Sequence, residues 1–146
     1  MYYFAYGSNM NWPQMRRRCP SARFVCVARL VDYGFGITRH SRLRNCGTAN
    51  VLPAKGREVW GVVYDVSDED LAILDRYEDG YRREILPVCA LGDGKQPLSV
   101  LVYVAEVEKE VPPPNAEYKR LMIEGGKHWN LPADYLAALE ALQTSG

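Results

Sequence analysis

The chain has 146 residues, enough for one domain to bury a full core without disulfide or metal staples. Hydrophobic residues make up 47% and charged residues 25%, which excludes a disordered or fibrous chain. Eighteen basic residues balance eighteen acidic ones, so no global field favours nucleic acid or an anionic membrane, and neither is expected as a partner.

Residues 2–6 read as a buried strand that breaks at Gly7. A short helix is expected over 11–18, with Asn11 as its cap and Pro13 in its first turn. Residues 23–39 are rich in Val, Phe, Tyr and Ile and are interrupted by Gly34 and Gly36, the pattern of a bent or bulged strand. Separate strands are expected over 46–52 and 58–66. Ser67 caps a helix with acids at 68, 69 and 70, Leu71 and Leu74 follow at helical spacing, and Gly80 stops it. Two further strands, 81–91 and 98–107, are joined by the turn signal Gly92-Asp93-Gly94. After the stiff loop Val111-Pro112-Pro113-Pro114-Asn115, helices are expected over 116–124 and 133–142, separated by Gly125-Gly126 and Leu131-Pro132. Strands first and helices last indicate a single α+β domain over 1–146, a sheet or small barrel flanked by helices.

Cys19, Cys26, Cys46 and Cys89 form no C-x-x-C pair and no zinc spacing, so reduced thiols in a cytoplasmic protein are expected. No signal segment or membrane-length apolar run is read. His40 and His128 have no metal-spaced partner, and no Walker, dinucleotide or G-x-S-x-G motif is present, so no metal and no cofactor is expected. The basic clusters Arg16-Arg17-Arg18 and Arg39 to Arg44 read as solvated faces.

Two segments suit chemistry. At Tyr6-Gly7-Ser8-Asn9 an apolar strand ends in a glycine, where a sharp turn aims successive N–H groups at one anion and Ser8 and Asn9 add side-chain donors. Read locally, an ordinary turn before a helix fits as well and is the commoner case. At Leu74 to Arg83, Glu78 sits at a helix end beside a glycine and between aromatics. The negative end of the helix dipole and apolar neighbours both raise a carboxylate pKa toward neutrality, where it can take and return a proton. By residue type alone a solvated helix-end acid is the ordinary reading.

Taken together, the segments Tyr3-Phe4-Ala5-Tyr6-Gly7-Ser8-Asn9, Pro20-Ser21-Ala22, Cys26 to Leu30, Glu58 to Tyr64, Leu74-Asp75 with Glu78, Tyr118-Lys119, Gly126-Lys127, Leu131-Pro132 and Tyr135 resemble the γ-glutamylcyclotransferase family, in order and spacing over nearly the whole chain. The resemblance implies a small mixed β-barrel flanked by helices and the release of 5-oxoproline from γ-glutamyl amino acids. It implies substrate binding by Tyr6, Gly7, Ser8 and Asn9, acid–base chemistry by Glu78, and pocket tyrosines at Tyr81, Tyr103 and Tyr118. It also allows a weak homodimer. The family's usual pattern has glycine directly after the glutamate and a longer loop before the next tyrosine. Here Asp79 intervenes and Tyr81 follows Gly80 at once, which puts the leaving-group side of the pocket in question and makes Asp79 a rival proton carrier. Three readings follow: this cyclotransferase, a sister enzyme acting on γ-glutamyl amines or biosynthetic intermediates, and a non-catalytic binding module on the same fold.

Overall fold

The computed structural model describes residues 1–91 and 97–145; the expected turn at Gly92-Asp93-Gly94 lies outside the described residues. The strands are β1 (Tyr2–Ala5), β2 (Arg23–Ser41), β3 (Cys46–Asp65), β4 (Tyr81–Ala90) and β5 (Leu98–Ala105). They close into a barrel in the order β1-β3-β2-β4-β5, with β5 returning to β1 through a parallel pairing of Tyr3 with Leu101. The helices are α1 (Trp12–Arg18), α2 (Asp68–Tyr77), α3 (Ala116–His128) and α4 (Ala133–Glu140), and a 3-10 turn at Ser8–Met10 follows β1. The expected α+β class holds, and the barrel is closed. Its interior is filled by strand residues such as Phe4, Leu30, Val63, Val100 and Val102, with Leu74 of α2 and Met122 of α3 packed in from outside, all with at most 1% of their surface exposed. No helix among the described residues is long and apolar enough to cross a membrane.

Helix caps follow the sequence closely. Asn11 Oδ1 accepts the Gln14 N–H at 3.1 Å. Ser67 and Asp70 form a reciprocal capping box at the start of α2. Asn115 caps α3 by accepting the Tyr118 N–H at 2.8 Å.

Three expectations need correction. The stretches 46–52 and 58–66 are one strand, β3. It bulges where the pairing steps from Tyr33 with Pro53 to Val31 with Glu58. Asp32 (φ 64°) and Gly56 (φ 83°) take the left-handed conformation there, and Asp32 Oδ1 accepts the Gly56 N–H at 2.9 Å. The bend in β2 is therefore set at Asp32 rather than at Gly34 or Gly36. At Gly34 a Cβ would lie 2.9 Å from the Arg57 guanidinium, the free end of a flexible side chain. Finally, Gly125-Gly126 does not end a helix. Helix α3 runs on to His128, because a Cβ at Gly125 would sit 2.3 Å from the backbone of Met10; the glycine lets α3 dock against the 3-10 turn.

One buried amide seals the barrel. Strands β3 and β5 are not ladder neighbours, yet Asn50 of β3 takes both main-chain groups of Ala105 on β5. Its Nδ2 donates to Ala105 O (2.8 Å) and to Thr38 Oγ1 (2.9 Å), and its Oδ1 accepts the Ala105 N–H (3.0 Å). Asn50 is fully buried. Asn50→Leu keeps the size but leaves a buried N–H and C=O unpaired, and is expected to lower stability by about 3 kcal/mol in urea unfolding.

Candidate active site

Five elements bring the expected residues together. The turn Tyr6-Gly7-Ser8-Asn9 follows β1, Glu78 ends α2, Tyr81 opens β4, Tyr103 lies on β5, and Tyr118 stands in the first turn of α3. All of them line one pocket, with Asp79 at its rim. Among the described residues, no cluster of three or more His, Cys, Asp or Glu side chains is placed to hold a metal ion.

The turn keeps its N–H groups free and its carbonyls occupied. Among the described residues, the N–H groups of Gly7, Ser8 and Asn9 donate to no backbone carbonyl outside their own turn. The Asn9 and Met10 carbonyls accept from the Tyr64 hydroxyl (2.8 Å) and the Trp129 indole N–H (3.0 Å). Unpaired N–H groups on consecutive residues suit an anion. The Ser8 and Asn9 side chains have work of their own. Asn9 Nδ2 donates to Tyr3 Oη at 3.0 Å, and Gln14 Nε2 donates to both Ser8 Oγ (2.9 Å) and Asn9 Oδ1 (3.0 Å). Gly7 has a negative φ (−109°), so its need for glycine comes from space: a Cβ there would lie 2.9 Å from Tyr118 Oη.

Glu78 caps the C-terminus of α2, where its N–H reaches Leu74 O at 2.9 Å. The side chain is half-buried, and no protein donor among the described residues reaches its carboxylate. Burial pushes its pKa up from the ordinary 4.5 to about 7. The positive charges of Arg18 and Arg44 oppose that rise, and the negative charge of Asp75 adds to it.

The pocket tyrosines divide by what their hydroxyl protons do. Tyr6 donates to the Tyr103 carbonyl, Tyr81 to the Ala49 carbonyl (2.6 Å), and Tyr103 to Asp75 Oδ1 (2.7 Å). Tyr118 Oη accepts the Ala49 N–H (3.0 Å), and Tyr3 Oη accepts from Asn9. The last two therefore keep a proton for whatever enters the pocket. Burial raises the pKa of both well above the ordinary tyrosine value, which holds them protonated.

Sequence reading missed four contributors. Tyr3 lies within the motif it recognised but was given no role there. Asp75 accepts from Tyr103 and pairs with Arg83 at 3.0 and 2.6 Å, tying the last turn of α2 to strands β4 and β5. Arg18 and Arg44, read as parts of solvated faces, line the pocket instead. Arg18 did carry a signal, since it falls one helical turn after buried Gln14 on the same face of α1. Arg44 sits at the β2–β3 hairpin tip, where periodicity offers none.

The pocket thus gathers the Glu78 carboxylate, the Tyr3 and Tyr118 hydroxyls and a turn with free N–H groups. Residues 3–131 match the family model described as Gamma-glutamyl cyclotransferase, AIG2-like. The chain is 34% identical over 148 residues to Gamma-glutamylcyclotransferase of Homo sapiens, covering 97% of this chain and 78% of that protein. It is 33% identical over 149 residues to the Mus musculus protein of the same name, with the same coverage. A solved structure named Gamma-glutamyl cyclotransferase superposes with a TM-score of 0.91 at 31% identity, covering 99% of this chain and 89% of that one. The chain belongs to the gamma-glutamyl cyclotransferase, AIG2-like family, and is an enzyme of cyclotransferase type.

The raised pKa of Glu78 has a consequence for stability. Between pH 4.5 and about 7 the folded protein holds a proton that the unfolded chain has released, so stability falls as pH rises through that window and then levels off. Glu78→Gln removes that loss. Allowing for solvent screening of a half-buried group, it is expected to stabilise the protein by about 1–2 kcal/mol at pH 8, with little gain at pH 4.5. Thermal unfolding of both proteins at the two pH values measures the difference.

Proposed function

We propose that this protein converts γ-glutamyl amino acids, or related γ-glutamyl amides, to 5-oxoproline and a free amine, with Glu78 as general base and then general acid. The observation that carries the reading is a single carboxylate with a pKa of about 7 and no protein donor, in the same pocket as the free N–H groups of the Gly7 turn.

The substrate brings its own nucleophile. Its α-amino nitrogen bonds to the γ-carbonyl carbon, and the bond from that carbon to the leaving nitrogen breaks. Of the three protons on the starting ammonium, one stays on the lactam nitrogen and two end on the leaving amine. Glu78 carries these two protons in turn, each time taking one from the attacking nitrogen and returning it to the leaving nitrogen, so the carboxylate is regenerated without any redox step. A pKa near the working pH serves both directions. Ring closure is intramolecular, so a pocket that folds the substrate captures much of the orientational gain.

The N–H groups of residues 7 to 9 hold the substrate α-carboxylate. Negative charge develops on the γ-carbonyl oxygen and is met by the Tyr118 hydroxyl, which keeps its proton and stands against Gly7. Tyr3 is the second hydroxyl with a proton to offer. Tyr81 and Tyr103 shape the wall, because their hydroxyl protons are engaged by Ala49 and Asp75.

Glu78→Gln is expected to lower kcat by roughly a hundredfold or more, and near-normal 5-oxoproline release would overturn the assignment. In the parent protein, log kcat/KM should climb with unit slope below pH 7 and flatten above it, because only ionised Glu78 can accept the proton. A profile flat from pH 5 to 8 would take that role from Glu78. Tyr118→Phe should reduce kcat by roughly a hundredfold with a smaller change in KM, as expected for a donor used mainly in the transition state.

A further inference from the structure

Two guanidinium groups face the pocket, and among the described residues neither has a counter-ion at contact distance. Arg18, in the last turn of α1, and Arg44, at the hairpin tip, line the cavity that holds Glu78. Both also line an adjoining recess, whose other walls are Gln14, Leu43, Asn115 and Glu117, so they stand on the boundary between the two spaces.

Both are half-buried. Each is steadied on the protein through a single nitrogen. Arg18 Nη1 donates to Asn9 Oδ1 (3.2 Å), and Arg44 Nη2 donates to Gln14 Oε1 (2.8 Å) and Ser8 Oγ (3.2 Å). Among the described residues neither takes part in a salt bridge. The Arg18 guanidinium lies 3.8 Å over the Tyr77 ring, and that of Arg44 lies 5.1 Å from the centre of the Tyr118 ring. Aromatic faces orient a guanidinium without neutralising it. Burial, and then the charge of Arg44, hold the Arg18 pKa below the usual arginine value. Two like charges in a half-buried wall repel, and a bound anion relieves them both. Their unused N–H groups match the planar fork of a carboxylate.

A γ-glutamyl amino acid carries two carboxylates, one on each side of the scissile bond. Under the function proposed above, on which this inference rests, the N–H groups of the Gly7 turn hold the first. We propose that Arg44, assisted by Arg18, binds the second, on the leaving amino acid, and so sets a preference for γ-glutamyl amino acids over γ-glutamyl amines. The side chain of the leaving residue then extends toward the adjoining recess.

The test uses γ-glutamylalanine and γ-glutamylethylamine, which differ only by that carboxylate. The parent protein is expected to favour γ-glutamylalanine at least tenfold in kcat/KM. Arg44→Met should shrink that ratio about tenfold, chiefly through KM for γ-glutamylalanine, and Arg44→Lys should restore part of it. Equal losses toward both compounds, or a parent protein that treats them alike, overturn the inference and leave the cyclisation reading standing. Absence of 5-oxoproline from both compounds overturns the cyclisation reading instead. In that case calorimetric Kd values for the two compounds, in the Glu78→Gln protein with and without Arg44→Met, still decide the contact. A Kd ratio that Arg44→Met leaves unchanged refutes it.

Discussion

Helix α3 reaches the turn after β1 at two glycines, and the geometry of the pocket depends on that docking. Gly125 meets the backbone of Met10, and about two turns earlier on the same helix the Tyr118 hydroxyl meets Gly7. Around this seam the turn's carbonyls are taken by Tyr64 and Trp129, which leaves its N–H groups as the unsatisfied side. A helix interior ordinarily loses stability with each glycine. Here the loss is offset by an approach that no larger residue permits. The same contact places Tyr118 against the Ala49 N–H, so the Gly7 turn and the Tyr118 hydroxyl are fixed by one helix.

The carboxylate opposite is set by a balance of opposing effects. Burial raises the Glu78 pKa, two arginines lower it, and the outcome is near neutrality. Its position is held from behind. Asp75, one turn earlier on α2, accepts from Tyr103 of β5 and pairs with Arg83 of β4. The end of α2 is thereby fastened to the strands that form the pocket wall, although Asp79 and Gly80 leave only a tight link into β4. Gly80 takes φ 86° under the Arg39 guanidinium, a backbone conformation that strains any side chain. Under the proposed function Glu78 moves a proton, a task that tolerates little misplacement, so this fastening would matter as much as the acid itself.

Much of this was legible in the chain. Elements, caps and fold class follow from local rules: Asn11, Ser67 and Asn115 cap as their residue types dictate, and runs of β-branched residues form strands. What escaped was long-range. Residues 53–57 read as a gap between strands because proline and glycine usually interrupt a ladder, yet Asp32 supplies the matching irregularity on β2. Gly125-Gly126 read as a terminator because local rules do not register the backbone that α3 meets. Arg18 and Arg44 read as solvent-facing charge because charge runs report composition, whereas their orientation is fixed by Asn9, Ser8 and Gln14. The Gly7 turn and Glu78 were singled out for sound local reasons, but their meeting in one cavity is a property of barrel closure.

The hairpin tip at 42–45 lies beyond the last rung of the β2–β3 ladder, Ser41 with Cys46. It places no side chain in the core, and Arg42, Leu43 and Asn45 are exposed. Glu78 and the Gly7 turn, in contrast, are anchored at the ends of packed elements, α2 and β1. Under the proposal made for Arg44, the contact with the leaving group is therefore carried in part by a loop that is separate from the packed elements holding Glu78. On that proposal, replacing a few residues at the tip would redraw which compounds are accepted while the packed scaffold around Glu78 stays intact, so that one barrel could diversify its diet without relearning its chemistry.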